Sequence, residues 1–179
     1  MISVSMALHK IVLGAGCFWC TEAVYKLFQG VISITPGYAG GHTENPTYKE
    51  VCSGKTGHAE VAMVEYDDSK ISLDTLLDIF FAMHDPTSKN KQGADIGEQY
   101  RSIILYMDDS DLEIIKKHIE SIKGSYDKPI VTEVQKLVKF YEAEDYHKEY
   151  YEHNKFQPYC MFVISPKLSK IRKEFGISK

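Results

Sequence analysis

Cysteine is scarce in this 179-residue chain: Cys17, Cys20, Cys52 and Cys160 are all there is. Four thiols so unevenly spread do not make the framework of a small disulfide-stapled domain, so each is read as catalytic, redox-active or simply buried. Long apolar runs are missing too. None approaches the roughly 18 residues that cross a bilayer, and the first ten lack the basic start of a secretory leader. The expected setting is the cytoplasm, with no membrane partner. Charge of one sign is also lacking: 21 basic residues stand against 25 acidic ones, net −4, with no basic block. Nucleic acid is therefore not an expected partner. No internal repeat or low-complexity tract is visible.

What is present is an ordinary globular balance, 44% apolar and 26% charged. The length suits one domain over 1–179, with a core at about 10–160 and a tail at 161–179, and the default state is a monomer. Strand and helix patterns alternate. Residues 10–15 read as a strand, 17–28 as a helix with Cys20, Val24, Leu27 and Phe28 on its apolar face, and 31–38 as a strand. Residues 40–57 read as a long loop carrying His42, Tyr48 and Cys52, and 60–66 as a strand. Ser72 is the expected cap of a helix reaching Met83, with Leu73, Leu76, Leu77 and Phe80 inward. A polar loop over 87–99, a strand over 100–107, a helix over 111–123 with an exposed Glu113–Lys117 pair, a strand over 130–138 and an aromatic helix over 143–153 follow. Beyond Tyr159 the pattern is a lysine-rich tail packed by Phe162, Val163 and Ile164. The order predicts an α+β fold, a two-layer sandwich with split β-α-β (ferredoxin-like) elements and long functional loops.

Chemistry concentrates at Gly14-Ala15-Gly16-Cys17-Phe18-Trp19-Cys20. A thiol at a strand-to-helix turn meets free N–H groups and the positive end of a helix dipole, so Cys17 is expected to ionise easily and act as a nucleophile. Cys20 completes a C-x-x-C pair, but it also lies on the apolar stripe, where a buried cysteine is an ordinary small hydrophobe. A dinucleotide fingerprint is rejected because Trp19 stands at its third glycine. Glu60 opens a strand on the face of Ala62, Val64 and Tyr66, where a carboxyl should have a raised pKa and serve as a proton donor. Tyr48 and Tyr100 offer neutral O–H donors at loop edges, and Asp95 alone reads as a turn residue. Tyr146-His147 and Tyr151-Glu152-His153 suggest metal ligands, but the H-E-x-x-H pattern is absent and no metal is expected.

Several segments together resemble the A-type peptide methionine sulfoxide reductase family. They are Gly16-Cys17-Phe18-Trp19, Gly37-Tyr38-x-Gly40-Gly41, Asn45-Pro46-Thr47-Tyr48, Val51-Cys52-Ser53-Gly54-x-Thr56-Gly57-His58-Ala59-Glu60, His84-Asp85-Pro86, Asp95-x-Gly97-x-Gln99-Tyr100-Arg101-Ser102 and Ala143-Glu144-Asp145-Tyr146-His147. The resemblance implies reduction of methionine S-sulfoxide, free or in proteins, with no cofactor beyond thioredoxin or a small dithiol as reductant. Cys17 would attack the sulfoxide sulfur, Glu60 protonate its oxygen, and Tyr48 and Tyr100 hydrogen-bond that oxygen. Phe18 and Trp19 would hold the methyl group, and Asp95 would support substrate and water. Cys17 is left as a sulfenic acid that a second thiol must resolve. Cys160 is expected to resolve first, with Cys20 as alternative or relay and Cys52 buried and inert. The rival readings are a general thiol–disulfide oxidoreductase using Cys17 and Cys20, and a zinc-stabilised binding module.

Overall fold

The computed structural model describes residues 7–178. It is an α+β structure built on a six-stranded sheet. The first strand, β1 (Leu8–Ala15), enters helix α1 (Phe18–Tyr25), and β2 (Val31–Ala39) follows. Helix α2 (Tyr48–Cys52), strand β3 (Ala59–Asp67) and helix α3 (Leu73–Met83) come next. A small hairpin, β4 (Lys91–Gln92) and β5 (Asp95–Ile96), precedes β6 (Ser102–Tyr106) and helix α4 (Asp109–Ile122). The chain ends with β7 (Glu133–Lys136), β8 (Phe140–Glu142), α5 (Tyr150–His153), a π-helical turn at Cys160–Ile164 and α6 (Ser165–Glu174).

The sheet order is β7-β6-β1-β3-β2-β8. All its pairings are antiparallel except β6 with β7. Strands β1 and β2, joined through α1, thus run the same way with β3 between them. Alternation along the strands sorts residues onto two faces. Ile11, Leu13, Val64 and Tyr66 join the core under the helices, whereas Val12, Val61, Ile103 and Leu105 form a smaller cluster on the opposite face with Leu137 and Phe140. Helix α3 forms as its pattern predicts: Ser72 Oγ accepts the Thr75 N–H, and Leu73, Leu76, Leu77 and Phe80 are buried.

Several expectations need correction. The 40–57 segment is interrupted by α2, closed by a Thr47–Glu50 capping box. The 87–99 loop contains the β4–β5 hairpin, and Tyr100 ends a 3₁₀ turn rather than opening a strand. The strand expected over 130–138 shrinks to β7, and β8 was not anticipated. The 143–153 helix is instead a 3₁₀ turn at Asp145–His147 followed by one turn of α5. Lys116, not Lys117, pairs with Glu113, at 3.8 Å. The tail is helical: Ile164, Leu168 and Ile171 are buried at 4,3 spacing, while Phe162 and Val163 face out.

Candidate active site

Two glycines fix the turn that presents Cys17. A side chain on Gly14 would strike Ile103 at 2.7 Å, and Gly16 takes φ +89, where its missing Cβ leaves room for Gln92. Cys17 then sits extended at the N-cap of α1, its carbonyl accepting the N–H of Cys20 at 3.1 Å. Cys17 is 7% exposed, and Cys20, one turn on, is 1% exposed.

The two thiols lie one helical turn apart, and their ionisation departs from the expected order. Burial pushes the Cys17 thiol well up, helped by the neighbouring Cys20 thiol and the nearby Glu60, and the Trp19 N–H does not compensate. Cys20 is instead lowered to about 7 by the neighbouring Cys17 thiol, with Lys167 and the Tyr159 hydroxyl also favouring its thiolate. A helix start favours a thiolate only while solvent reaches it, and here the core closes over it.

Glu60 lies on β3, 1% exposed. Its Oε1 accepts the Phe18 N–H at 3.3 Å, and its Oε2 has no partner among the described residues. Burial pushes its pKa to about 8, with the charges of Asp95 and Cys20 adding to the rise. At neutral pH it is a carboxylic acid with a proton to give. Tyr48 and Tyr100 face it, and burial together with the Glu60 charge raises both phenols, so both remain O–H donors. Arg101 draws the loops bearing these tyrosines together, donating to the Glu98 carbonyl at 3.0 Å and the Gly57 carbonyl at 3.0 Å.

The aromatic wall is more elaborate than Phe18 and Trp19 alone. Phe18 is fully buried and backs the site, packed on Tyr38, Tyr48 and His147. Trp19 keeps free surface. Its Nε1–H donates to His147 Nδ1 at 3.0 Å, and its ring stacks on Tyr150 at 3.7 Å with 5° between planes. Tyr159 meets the indole edge-on and donates to Asp95 Oδ2 at 2.6 Å. Asp95 is carried on the hairpin that Asp85 and Gln92 brace, the Gln92 amide donating to the Asp85 carbonyl at 2.6 Å. Tyr38, Glu144 and His147 stand in segments that carry the family resemblance but have no role assigned from sequence beyond the metal-ligand reading of His147, and Tyr150 and Tyr159 have none either. Among the described residues no group of three or more His, Cys, Asp or Glu side chains is placed to hold a metal ion. His58 instead ties a loop, accepting the Gly41 N–H at 3.0 Å and facing the Thr43 carbonyl at 2.7 Å.

The other two cysteines differ from each other. Cys160 is fully buried at the head of the π-helical turn, close enough to Cys20 for that charge to raise its pKa. Cys52, expected to be buried, is exposed at the end of α2, one helical turn beyond Tyr48. A cavity of about 1060 Å³ opens on the other side of the thiol pair, with Cys17, Cys20, Asp95, Tyr159, Phe162 and Lys167 in its wall. Glu60, Tyr48 and Tyr100 are not in that wall, whereas the two thiols and Asp95, whose charge reaches Glu60, are.

A family model described as peptide methionine sulfoxide reductase matches residues 9–179. The peptide methionine sulfoxide reductase MsrA of Saccharolobus solfataricus is 53% identical over 163 residues, covering 91% of this chain and 92% of that protein. Mxr1 from Saccharomyces cerevisiae in reduced form superposes with a TM-score of 0.81 at 37% identity, covering 86% of this chain and 89% of its own. Mxr1 in complex with Trx2 matches with a TM-score of 0.58 at 27% identity, over 80% of this chain and 84% of that one. The chain belongs to the A-type peptide methionine sulfoxide reductase family.

Proposed function

We propose that this reductase converts methionine S-sulfoxide to methionine through Cys17, with Cys20 as its base and first resolving thiol. The observation that carries the proposal is a buried Glu60 carboxyl, raised to about 8, whose Oε2 has no partner among the described residues, placed where its charge acts on the buried Cys17, with Cys20 one helical turn on. Cys17 gives its proton to the Cys20 thiolate and attacks the sulfoxide sulfur. Glu60 protonates the departing oxygen, while Tyr48 and Tyr100 stabilise the charge that develops there. The sulfoxide sulfur gains two electrons and the Cys17 sulfur loses two, leaving methionine, Cys17 sulfenic acid, Cys20 thiol and Glu60 carboxylate. Cys20 then condenses with the sulfenic acid, releasing water and forming the Cys17–Cys20 disulfide that thioredoxin reduces. The nearness of Cys160 to Cys20 rather than its place in a flexible tail makes it a later relay, reversing the order expected from sequence.

We further infer that Trp19 receives the methyl group with Phe18 behind it, and that Asp95, released from Tyr159, supports the bound substrate. The split β-α-β core is read as ferredoxin-like, in one domain acting as a cytoplasmic monomer. The lowered pKa of Cys20 also suits simple disulfide exchange, the second reading. One experiment separates them. The separated S and R sulfoxides of a blocked methionine are offered with dithiothreitol, and cysteine bonds are trapped and mapped after one turnover. S-only reduction that Cys17→Ser abolishes, with a Cys17–Cys20 bond, is the expected result. Reduction of insulin disulfides but of neither sulfoxide overturns the proposal, and a Cys17–Cys160 bond overturns the resolving order.

A further inference from the structure

Glu22 is the buried charge that the reaction does not use. It is 2% exposed on α1, three residues beyond Trp19 and therefore on the same helical face. A carboxyl in that position is costly unless a specific partner offsets its desolvation. The partner is backbone: Glu22 Oε1 accepts the N–H of Glu149 at 2.7 Å. Glu149 itself stands at φ +54, a left-handed conformation that a non-glycine residue keeps only when its surroundings hold it. Its side chain is gripped as well, by Lys26 at 3.1 Å.

The grip falls between the two residues that fix Trp19. Two residues before Glu149 is His147, which accepts the indole N–H, and directly after it is Tyr150, which stacks on the indole face. We propose that Glu22 is a positioning residue for the substrate pocket, clamping the 147–150 segment so that Trp19 is held in one orientation toward the sulfoxide methyl. This deepens the reading of Trp19 as the substrate-facing aromatic and rests on it.

The clamp titrates in the physiological range. Burial pushes the Glu22 pKa to about 7, against the pull of Lys26 and the Glu149 N–H, while the charges of Glu152 and Glu149 add to the rise. Those are the charged groups facing it: Lys26 from α1, Glu149 from the turn and Glu152 from α5. The ionised carboxylate accepts the N–H more strongly than the acid does, so the wall tightens as pH rises through that value.

Trp19 is the only tryptophan in the chain, so its fluorescence reports the wall without interference. The titration is run in a Cys20→Ser background, because the Cys20 thiol also titrates near 7 beside the indole. Between about pH 5 and pH 9, emission is expected to show a transition near 7 that Glu22→Gln removes while leaving the fold intact. His147 also touches the indole, but burial lowers its pKa and puts its transition below the ordinary histidine range. A transition that survives Glu22→Gln and disappears in His147→Asn overturns the proposal. With Cys20 restored and dithiothreitol as reductant, Glu22→Ala is expected to raise KM for the sulfoxide about threefold to tenfold, with a smaller change in kcat. An unchanged KM in a folded Glu22→Ala protein also overturns it. Because fluorescence needs no turnover, the clamp is testable even if the sulfoxide reading fails.

Discussion

Two glutamates reach the same aromatic cluster from distant parts of the chain and end in opposite states. Glu60, on β3, has one N–H donor at 3.3 Å and an oxygen with no partner among the described residues, and its pKa rises to about 8. Glu144, just after β8, takes the Tyr48 N–H at 3.0 Å and the Tyr38 hydroxyl at 2.9 Å. Burial pushes Glu144 upward too, but those donors and His147 outweigh it and hold it below the usual carboxylate range. Residue type is the same, but Glu60 is buried with one donor and Glu144 is half-buried with two, so burial and the donors aimed at each carboxylate together decide the outcome. The under-served one is held protonated near neutral pH. The well-served one anchors the tyrosines.

Glu60→Gln breaks the comparison most severely. It keeps size and the Phe18 contact but has no acidic proton, so single-turnover reduction should fall about 10²- to 10⁴-fold. An unchanged rate removes Glu60 from the proton-donor role. Stability should move the other way. A carboxyl at about 8 in the folded state, against 4.5 unfolded, penalises folding progressively as pH rises between those values, then levels off. Glu60→Gln should therefore be more stable than the parent at pH 8, by on the order of a few kcal/mol, and nearly equal to it below pH 4.5. Denaturation midpoints at both ends of the range check this.

The same contrast separates what could be read from the sequence from what could not. Glu60 was legible because period-two alternation puts it with Val64 and Tyr66 on the core face, and burial alone raises a carboxyl. The turn at Gly16-Cys17 was legible because strand, glycine and helix follow one another directly. The Cys17 ionisation was not, because it depends on distant elements closing over the helix start. Glu144, His147 and Tyr150 lie in single turns or in the link that follows a three-residue strand, too short for any periodicity, and β8 is placed only by its pairing with Gly37, Tyr38 and Ala39 of β2. The α6 stripe was present as Ile164, Leu168 and Ile171, but its lysines and Pro166 made it look like a loose tail.

Glu144→Ala probes the other side of the comparison with a smaller expected effect. It leaves the Tyr48 N–H and the buried Tyr38 hydroxyl without their acceptor, which should destabilise the fold by about 1–3 kcal/mol. Activity should fall about tenfold through misplacement of Tyr48, far less than for Glu60→Gln. The pH signature should also reverse. A depressed carboxyl contributes stability above the ordinary carboxylate pKa and loses it as pH falls through the folded value. The cost of Glu144→Ala should therefore be full at neutral pH and shrink in acid. A cost that grew in acid instead would mean Glu144 is not the anchoring anion.

Tyr38→Phe sharpens the comparison with the smallest change. It removes one donor from Glu144 and nothing from Glu60, in a side chain that is fully buried. The orphaned group is then the Glu144 oxygen, which is only half-buried and can turn to water, so the cost should stay near 1 kcal/mol. Turnover should stay within about threefold of the parent, because Tyr48 keeps its N–H bond to the carboxylate. The pKa of Glu144, followed by NMR, should move upward toward the ordinary range as a donor is lost, while that of Glu60 stays raised. If both carboxylates shift together, their states are set by a shared field across the cluster, and counting donors at each one is the wrong account.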